Sequence, residues 1–98
     1  MRNDLNSVMI AGEVKNVRKC ADGNVMFIAN DNEFGVTYAR VIIPDKMLDV
    51  VRKRGYMEPG ALIRICGMLR PDFDIMAVAV EPINSEGKLL DIKDFIID

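Results

Sequence analysis

From Ala61 to Arg70 the chain alternates without a break. Ala61, Ile63, Ile65, Gly67 and Leu69 fall on one side, and Leu62, Arg64, Cys66, Met68 and Arg70 on the other. Strand side chains change face at every residue, so this period-two pattern predicts a β-strand with an apolar inner face and two guanidiniums on its outer face. Pro59 and Gly60 supply the turn signal that opens it. A second alternation, from Leu5 to Lys15, places Val8, Ile10, Gly12 and Val14 inward. An inward glycine weakens a strand unless the backbone must bend or another backbone must come close. Gly12 and Gly67 therefore predict a sheet that coils into a small barrel.

Between these two strands the pattern predicts two more. Val25 to Asn30 is one, preceded by a polar, basic stretch (Asn16 to Asn24) that ends in a turn at Gly23. Val36 to Ile43 is the other, with Thr37, Ala39, Val41 and Ile43 on one face and Val36, Tyr38, Arg40 and Ile42 on the opposite one. Pro44 ends it, having no N–H for a ladder. Asp45 is placed to be an N-cap, and Met47, Leu48, Val50 and Val51 recur at helical spacing as far as Arg54, with Gly55 as the C′ residue. A turn at Pro71–Asp74 leads to a fifth strand over Ile75–Val80. Between Lys88 and Asp98 the residues fit a short helix, with Leu89, Ile92, Phe95 and Ile96 on one side, as well as they fit a strand.

Strand, strand, strand, helix, strand, strand is the element order of an all-β, five-stranded Greek-key barrel, the OB-fold, with its helix between strands 3 and 4. A small α+β sandwich is the alternative. The reading is one domain, residues 1–98, with its core in about 5–82 and a C-terminal extension at 83–98.

Composition narrows the function more than the fold. Half of the 98 residues are apolar and 29% are charged, which suits a folded globular chain. Aromatics are 6%, tryptophan is absent and there are seven methionines, so the core is expected to be aliphatic and pliable. The net charge of −2 and the pI near 5.1 exclude a surface wholly given over to polyanions. They leave room for a local basic stripe, because screening confines a charge's field to about 10 Å at 0.1 M salt. Cys20 and Cys66 stand far apart, with no CxxC pair and no histidine. That pattern predicts no metal site, no cofactor and two reduced thiols. No apolar run reads as a signal peptide or membrane span, so the expected location is the cytoplasm. Neither cysteine has a neighbouring base and no strand leads into a phosphate-binding glycine loop, which argues against an enzyme.

Four stretches carry a family likeness. Asn6 to Val14 (NSVMIAGEV) resembles the opening strand of bacterial single-stranded-DNA-binding proteins, and Met26 to Asn30 (MFIAN) is similar to their second strand. Tyr38 to Ile43 (YARVII) falls where such proteins carry an aromatic, a basic residue and an apolar run. Gly60 to Arg70 (GALIRICGMLR) looks like their fourth strand. The likeness spans about residues 5–82. Against the family pattern, the loops after strands 2 and 4 are short, tryptophans are missing, and no long Gly/Pro/Gln-rich tail is present. The final Asp94 to Asp98 (DFIID) is only loosely like the acidic, Phe-ending tip by which the family recruits replication and repair proteins.

The resemblance implies an OB barrel that binds single-stranded DNA, or RNA, without reading sequence, and that assembles as a homo-dimer or homo-tetramer. Such binding needs cations along the phosphates and flat side chains for the bases. Tyr38 and Arg40 share a face of strand 3. On a continuous outer face they are expected to join Arg64 and Arg70, with Phe73 as a second platform and Arg52, Lys53 and Arg54 as further cations. The same Arg52–Arg54 run also has a purely structural reading, as cations at the negative end of the helix dipole. Phe27 is inward by strand register and outward by the likeness. The competing reading is an OB domain for protein–protein contact or oligomerisation, with Met9, Met26, Met68 and Met76 as the apolar outer face of a subunit interface.

Overall fold

The computed structural model describes residues 5–21 and 23–84. Five strands and one helix follow one another as β1 (Val8–Cys20), β2 (Gly23–Asn32), β3 (Gly35–Ile43), α1 (Asp45–Lys53), β4 (Leu62–Leu69) and β5 (Ile75–Pro82). They close into a barrel in the order β1-β2-β3-β5-β4. Every neighbouring pair is antiparallel except β3 with β5, which pair in parallel over two steps, Val41 with Ile75 and Ile42 with Met76. The expected five-stranded barrel, with its helix between the third and fourth strands, is the observed architecture.

β1 runs five residues beyond the alternation that announces it. Its register shifts between Val14 and Asn16, so Lys15 is an extra, bulged residue. A bulge inverts the parity of every later residue in its strand, which makes Asn16 to Cys20 read as loop when they are strand. The bend also divides the strand's work. Val8–Glu13 pairs with β4, and Glu13–Cys20 pairs with β2. Val14, at the bend, exchanges backbone hydrogen bonds with the loop before β4: its N–H donates to Ala61 O and its carbonyl accepts from Gly60 N, both at 2.8 Å. Ahead of β1, the Asn6 amide imitates a ladder partner, donating to Leu69 O at 2.8 Å and accepting from Leu69 N at 2.9 Å.

Both inward glycines sit where one strand crosses close over another. A Cβ on Gly12 would fall deep inside contact distance of the Ala29 carbonyl oxygen, and one on Gly67 would do the same with the Met76 carbonyl oxygen. Gly67 also adjoins the second bulge, where the register moves from Cys66–Ala79 to Gly67–Ala77 and leaves Val78 unpaired in the ladder. Missing side chains and extra residues thus coincide at the two bends that close the sheet.

The core is aliphatic, with one methionine at its centre. Val14, Met26, Ile28, Val41, Ile43, Ile63 and Ile65 are fully buried together. α1 covers one end of the barrel through Val51, and the loop after it contributes Tyr56 and Met57. Pro44, rather than Asp45, is the N-cap, with an extended backbone and no side-chain bond to the helix. Asp45 lies inside the first turn, where a carboxylate still favours the dipole's positive end. Gly55 adopts φ +76° and ends the helix, with Tyr56 N–H donating back to Val51 O at 3.1 Å, the bond pattern of a glycine-terminated helix. Of the expected extension at 83–98, only Ile83 and Asn84 are described. Ile83 is buried and donates its N–H to Leu62 O at 3.1 Å; the rest lies outside the described residues. α1, with nine residues, is not long or apolar enough to cross a membrane.

Gly12→Ala and Gly67→Ala are each expected to destabilise the barrel by about 1–3 kcal/mol or more, because the atom in the way is backbone and cannot rotate aside. Urea denaturation measures this. Unchanged midpoints for both variants would show that the crossings have slack.

Candidate nucleic-acid interface

The pairing register lays the outward side chains of β1, β2 and β3 in rows across the sheet. Phe27 on β2 faces Asn16 on β1 and Arg40 on β3, and Ala29 faces Tyr38 one row further on. Phe27 lies between buried Met26 and Ile28 and is itself only half-buried, so it points outward. The strand-register expectation that made it core is corrected here: β2 alternates in the opposite phase. The same alternation corrects Met26, which is fully buried and cannot belong to an outer interface.

Around Phe27 the charges are cationic. The Arg18 guanidinium carbon lies 5.9 Å from the Phe27 ring centroid, within cation–π range. Arg40 approaches from the other side, with its guanidinium in an ion pair with Asp74 from the β4–β5 turn. That pair leaves Arg40 about one-third exposed and Asp74 mostly buried. Tyr38 stands diagonally from Phe27, a spacing of about 7–8 Å between Cα atoms, and is 66% exposed. Two rings on adjacent strands, flanked by two guanidiniums, form one continuous outer surface.

Beside Tyr38 the face dips into a groove of about 570 Å³ lined by β1, the end of β2, the start of β3 and, on its far side, Leu62, Ile83 and Asn84. Lys15, bulged out of β1, reaches it with its ammonium 2.6 Å from Glu13 Oε2. The hydrogen bond to Glu13, and then the Glu13 charge, hold the Lys15 ammonium above the ordinary lysine value of 10.5. At the tip of the β2–β3 hairpin Phe34 is 92% exposed, and its N–H donates to Asn32 Oδ1 at 2.9 Å.

The expected site residues divide by position. Arg40 is tied by its pair with Asp74 to the β4–β5 turn that carries Phe73 next to Arg70, and Tyr38 is two residues before Arg40 on the same face of β3. Phe73 is 81% exposed and has φ +67°. Its N–H donates to Arg70 O, and Arg70 lies 3.5 Å from Asp72. Arg64 is separate. It lies on β4, with β5 between it and β3, and its guanidinium is 3.1 Å from Glu81 on β5. β5 separates β3 from β4 in the barrel, so Arg64 is not on a strand adjoining Tyr38 and Arg40. Arg52, Lys53 and Arg54 are exposed at the end of α1 rather than on the strand face, and there they complement the helix dipole.

Arg18, Lys15 and Phe34 are absent from the residues that the sequence pattern singled out. Lys15 is the residue at which the alternation fails, Arg18 lies beyond it, and Phe34 lies inside a turn. A signal was available for the first two: Val17 keeps company with Val14 only if one residue between them is bulged.

No protein-family model matches the chain, and no curated sequence does. Among solved structures, a small single-stranded DNA binding protein from Mycoplasma pneumoniae superposes with a TM-score of 0.66 at 20% identity, over 90% of this chain and 95% of that one. A chain of the S. pombe Stn1-ten1 complex superposes with a TM-score of 0.65 at 16% identity, over 84% of this chain. The protein spans 61% of that second chain's length. The fold is an OB-fold. Within it, the outer face of β1, β2 and β3 holds the aromatic and cationic groups described above, and the helix of the OB-fold covers one end of the barrel.

Replacing Glu13 by Ala removes the two largest causes of the Lys15 shift, the Glu13 hydrogen bond and charge, and leaves the smaller effect of Tyr38. The Lys15 titration, followed by NMR at its side-chain nitrogen, is expected to move down towards 10.5. With a raised folded pKa, any stability from this exposed pair is complete below 10.5 and disappears as pH rises through the shifted value. An unmoved titration would show that Glu13 does not act on the ammonium.

Proposed function

We propose that the protein binds single-stranded nucleic acid, DNA foremost, on the outer face of β1, β2 and β3. The observation that carries this reading is that Phe27 has the Arg18 guanidinium over its ring and Arg40 opposite it on β3, with Tyr38 on the adjoining diagonal. Bases stack on rings at a gain of about 1–3 kcal/mol each, and guanidiniums alongside meet the phosphates that link them. Phe73 and Phe34 offer platforms at either end of the same face, and Arg70 and Lys15 add cations. These contacts address features common to all nucleotides and carry no base preference of their own. The acids paired with Arg40 and Arg70 keep the face near neutral in the free protein, so binding exchanges a carboxylate for a phosphate. The single-stranded DNA binding protein from Mycoplasma pneumoniae, similar in fold and size, supports the reading.

A second surface supports self-association. On the outer sides of β1, β4 and β5, Met9, Met68 and Val78 are 63%, 49% and 61% exposed, with Cys66 and Met76 beside them. Monomeric proteins seldom leave such a cluster to solvent. Two copies meeting here would bury it, and the nucleic-acid faces of both would remain open. Each extra copy would then raise the effective concentration of the next site along a strand.

Fluorescence-anisotropy titration of a labelled poly-dT oligomer at two salt concentrations tests the first proposal. Tyr38→Ala and Phe27→Ala are each expected to weaken binding by about 1–3 kcal/mol. Arg18→Ala should reduce the salt slope by about 0.7, whereas Arg64→Ala should leave it unchanged. Equal slopes across the Arg18 and wild-type proteins would mean that Arg18 touches no phosphate. For self-association, sedimentation should show an oligomer that Met9→Glu or Met68→Glu dissociates; a monomeric wild type at micromolar concentration refutes it.

A further inference from the structure

We infer that the groove beside Tyr38 is a base-discriminating subsite that prefers guanine, with Asp31 as the reading group. The inference rests on the nucleic-acid reading and adds to it a selectivity that stacking and phosphate contacts cannot supply. The groove is lined in part by Ala11, Gly12 and Ala29, where little or no side chain leaves room beside the Tyr38 ring. Ala29 is directly opposite Tyr38 on the neighbouring strand, so a base stacked on that ring projects its edge over Ala29 into the groove.

The polar groups that this edge would meet are mostly committed already. The Glu13 carboxylate is bound to the Lys15 ammonium at 2.6 Å. The Asn30 amide donates to Ala11 O at 2.7 Å, and its oxygen accepts from Asn32 Nδ2 at 2.7 Å. Asp31 differs: it is exposed, it lines the groove, and its carboxylate has no hydrogen-bond or ion-pair partner among the described residues. It sits on the β2–β3 diagonal from Tyr38, since Asp31 faces Val36 where Ala29 faces Tyr38. An aromatic platform and an uncommitted acceptor therefore stand about one base-width apart.

An ionised carboxylate accepts hydrogen bonds and donates none. Guanine presents two adjacent donors on its Watson–Crick edge, N1–H and the 2-amino group, and matches both carboxylate oxygens at once. Inosine keeps N1–H alone. Adenine and cytosine offer one exocyclic amine next to a ring acceptor that the carboxylate repels. Thymine sets a single N3–H between two carbonyl oxygens and fits worst. The expected order is guanine, then inosine, then adenine and cytosine, then thymine. One bidentate base contact corresponds to about tenfold in affinity.

Anisotropy titrations of the full chain with labelled dT15 and with the same oligomer carrying guanine, inosine or cytosine at its centre test this. The guanine oligomer is expected to bind about tenfold tighter than dT15, with inosine between them. Asp31→Asn should bring the guanine-to-thymine ratio to within about twofold of one while dT15 affinity stays within about twofold of wild type. Asp31→Ala should do the same, and neither exposed substitution touches the core. Equal binding of all four oligomers by the wild type, or a guanine preference that survives both substitutions, overturns the subsite and leaves single-strand binding standing. Failure to bind any oligomer at low salt overturns both.

Discussion

Two places where backbones nearly touch decide how this barrel closes. At Gly12, β1 passes so near the Ala29 carbonyl that no side-chain atom fits between them, and at Gly67, β4 stands in the same relation to Met76. A sheet of five short strands can shut on itself only by bending sharply, and a bend brings inward-facing positions together on its concave side. Removing the Cβ at those two positions permits the crossing. A bulge next to each lengthens the outer strand to match, at Lys15 and at Val78.

The candidate binding face is a consequence of that closure. The β1 bulge turns Lys15 outward and shifts the parity of the rest of the strand. Asn16 and Arg18 then share a face with Phe27 rather than with the core. Without it, Arg18 would not stand over the Phe27 ring. The distribution of charge obeys the same logic. An acidic chain, with 15 acids to 13 bases, pairs three of its candidate phosphate contacts with its own carboxylates: Arg40 with Asp74, Arg70 with Asp72 and Lys15 with Glu13. Such pairs hold long side chains in place on the surface while contributing little to stability themselves. Asp31 stands apart from this arrangement, and for that reason its carboxylate remains available to a ligand.

The opposite side of the barrel is apolar where the first is charged. Met9, Met68 and Val78 are exposed there, and Arg64 is held by Glu81 beside them. A single guanidinium bound to its own acid at the border of an apolar patch suits the rim of a protein contact better than a track for phosphates. Charge alone does not separate the two arginine environments. Each guanidinium has a carboxylate partner, and only the neighbouring rings distinguish Arg40 from Arg64.

Local pattern was sufficient for most elements, because strand alternation and helical spacing are properties of residues two to four apart. It yielded five strands, one helix, the inward glycines, the C′ glycine at position 55 and the inward set Ile63, Ile65 and Gly67. It failed where a single extra residue inverted the phase, at Lys15. It also failed where phase alone could not say which face was inside, at Phe27 and Met26. Adjacency lay beyond the reach of local pattern altogether. Tyr38 and Arg64 each point outward, as expected, but whether two outward faces are one surface depends on which strands are neighbours, and that is set by closure across the whole chain. The strand order places β5 on one side of β3 and β2 on the other. Tyr38 and Arg40 therefore adjoin Phe27 on β2, through which Arg18 on β1 joins the same face, whereas the strand beside them on the other side is β5 and not Arg64's β4; only hydrogen-bonded neighbours stand about 5 Å apart.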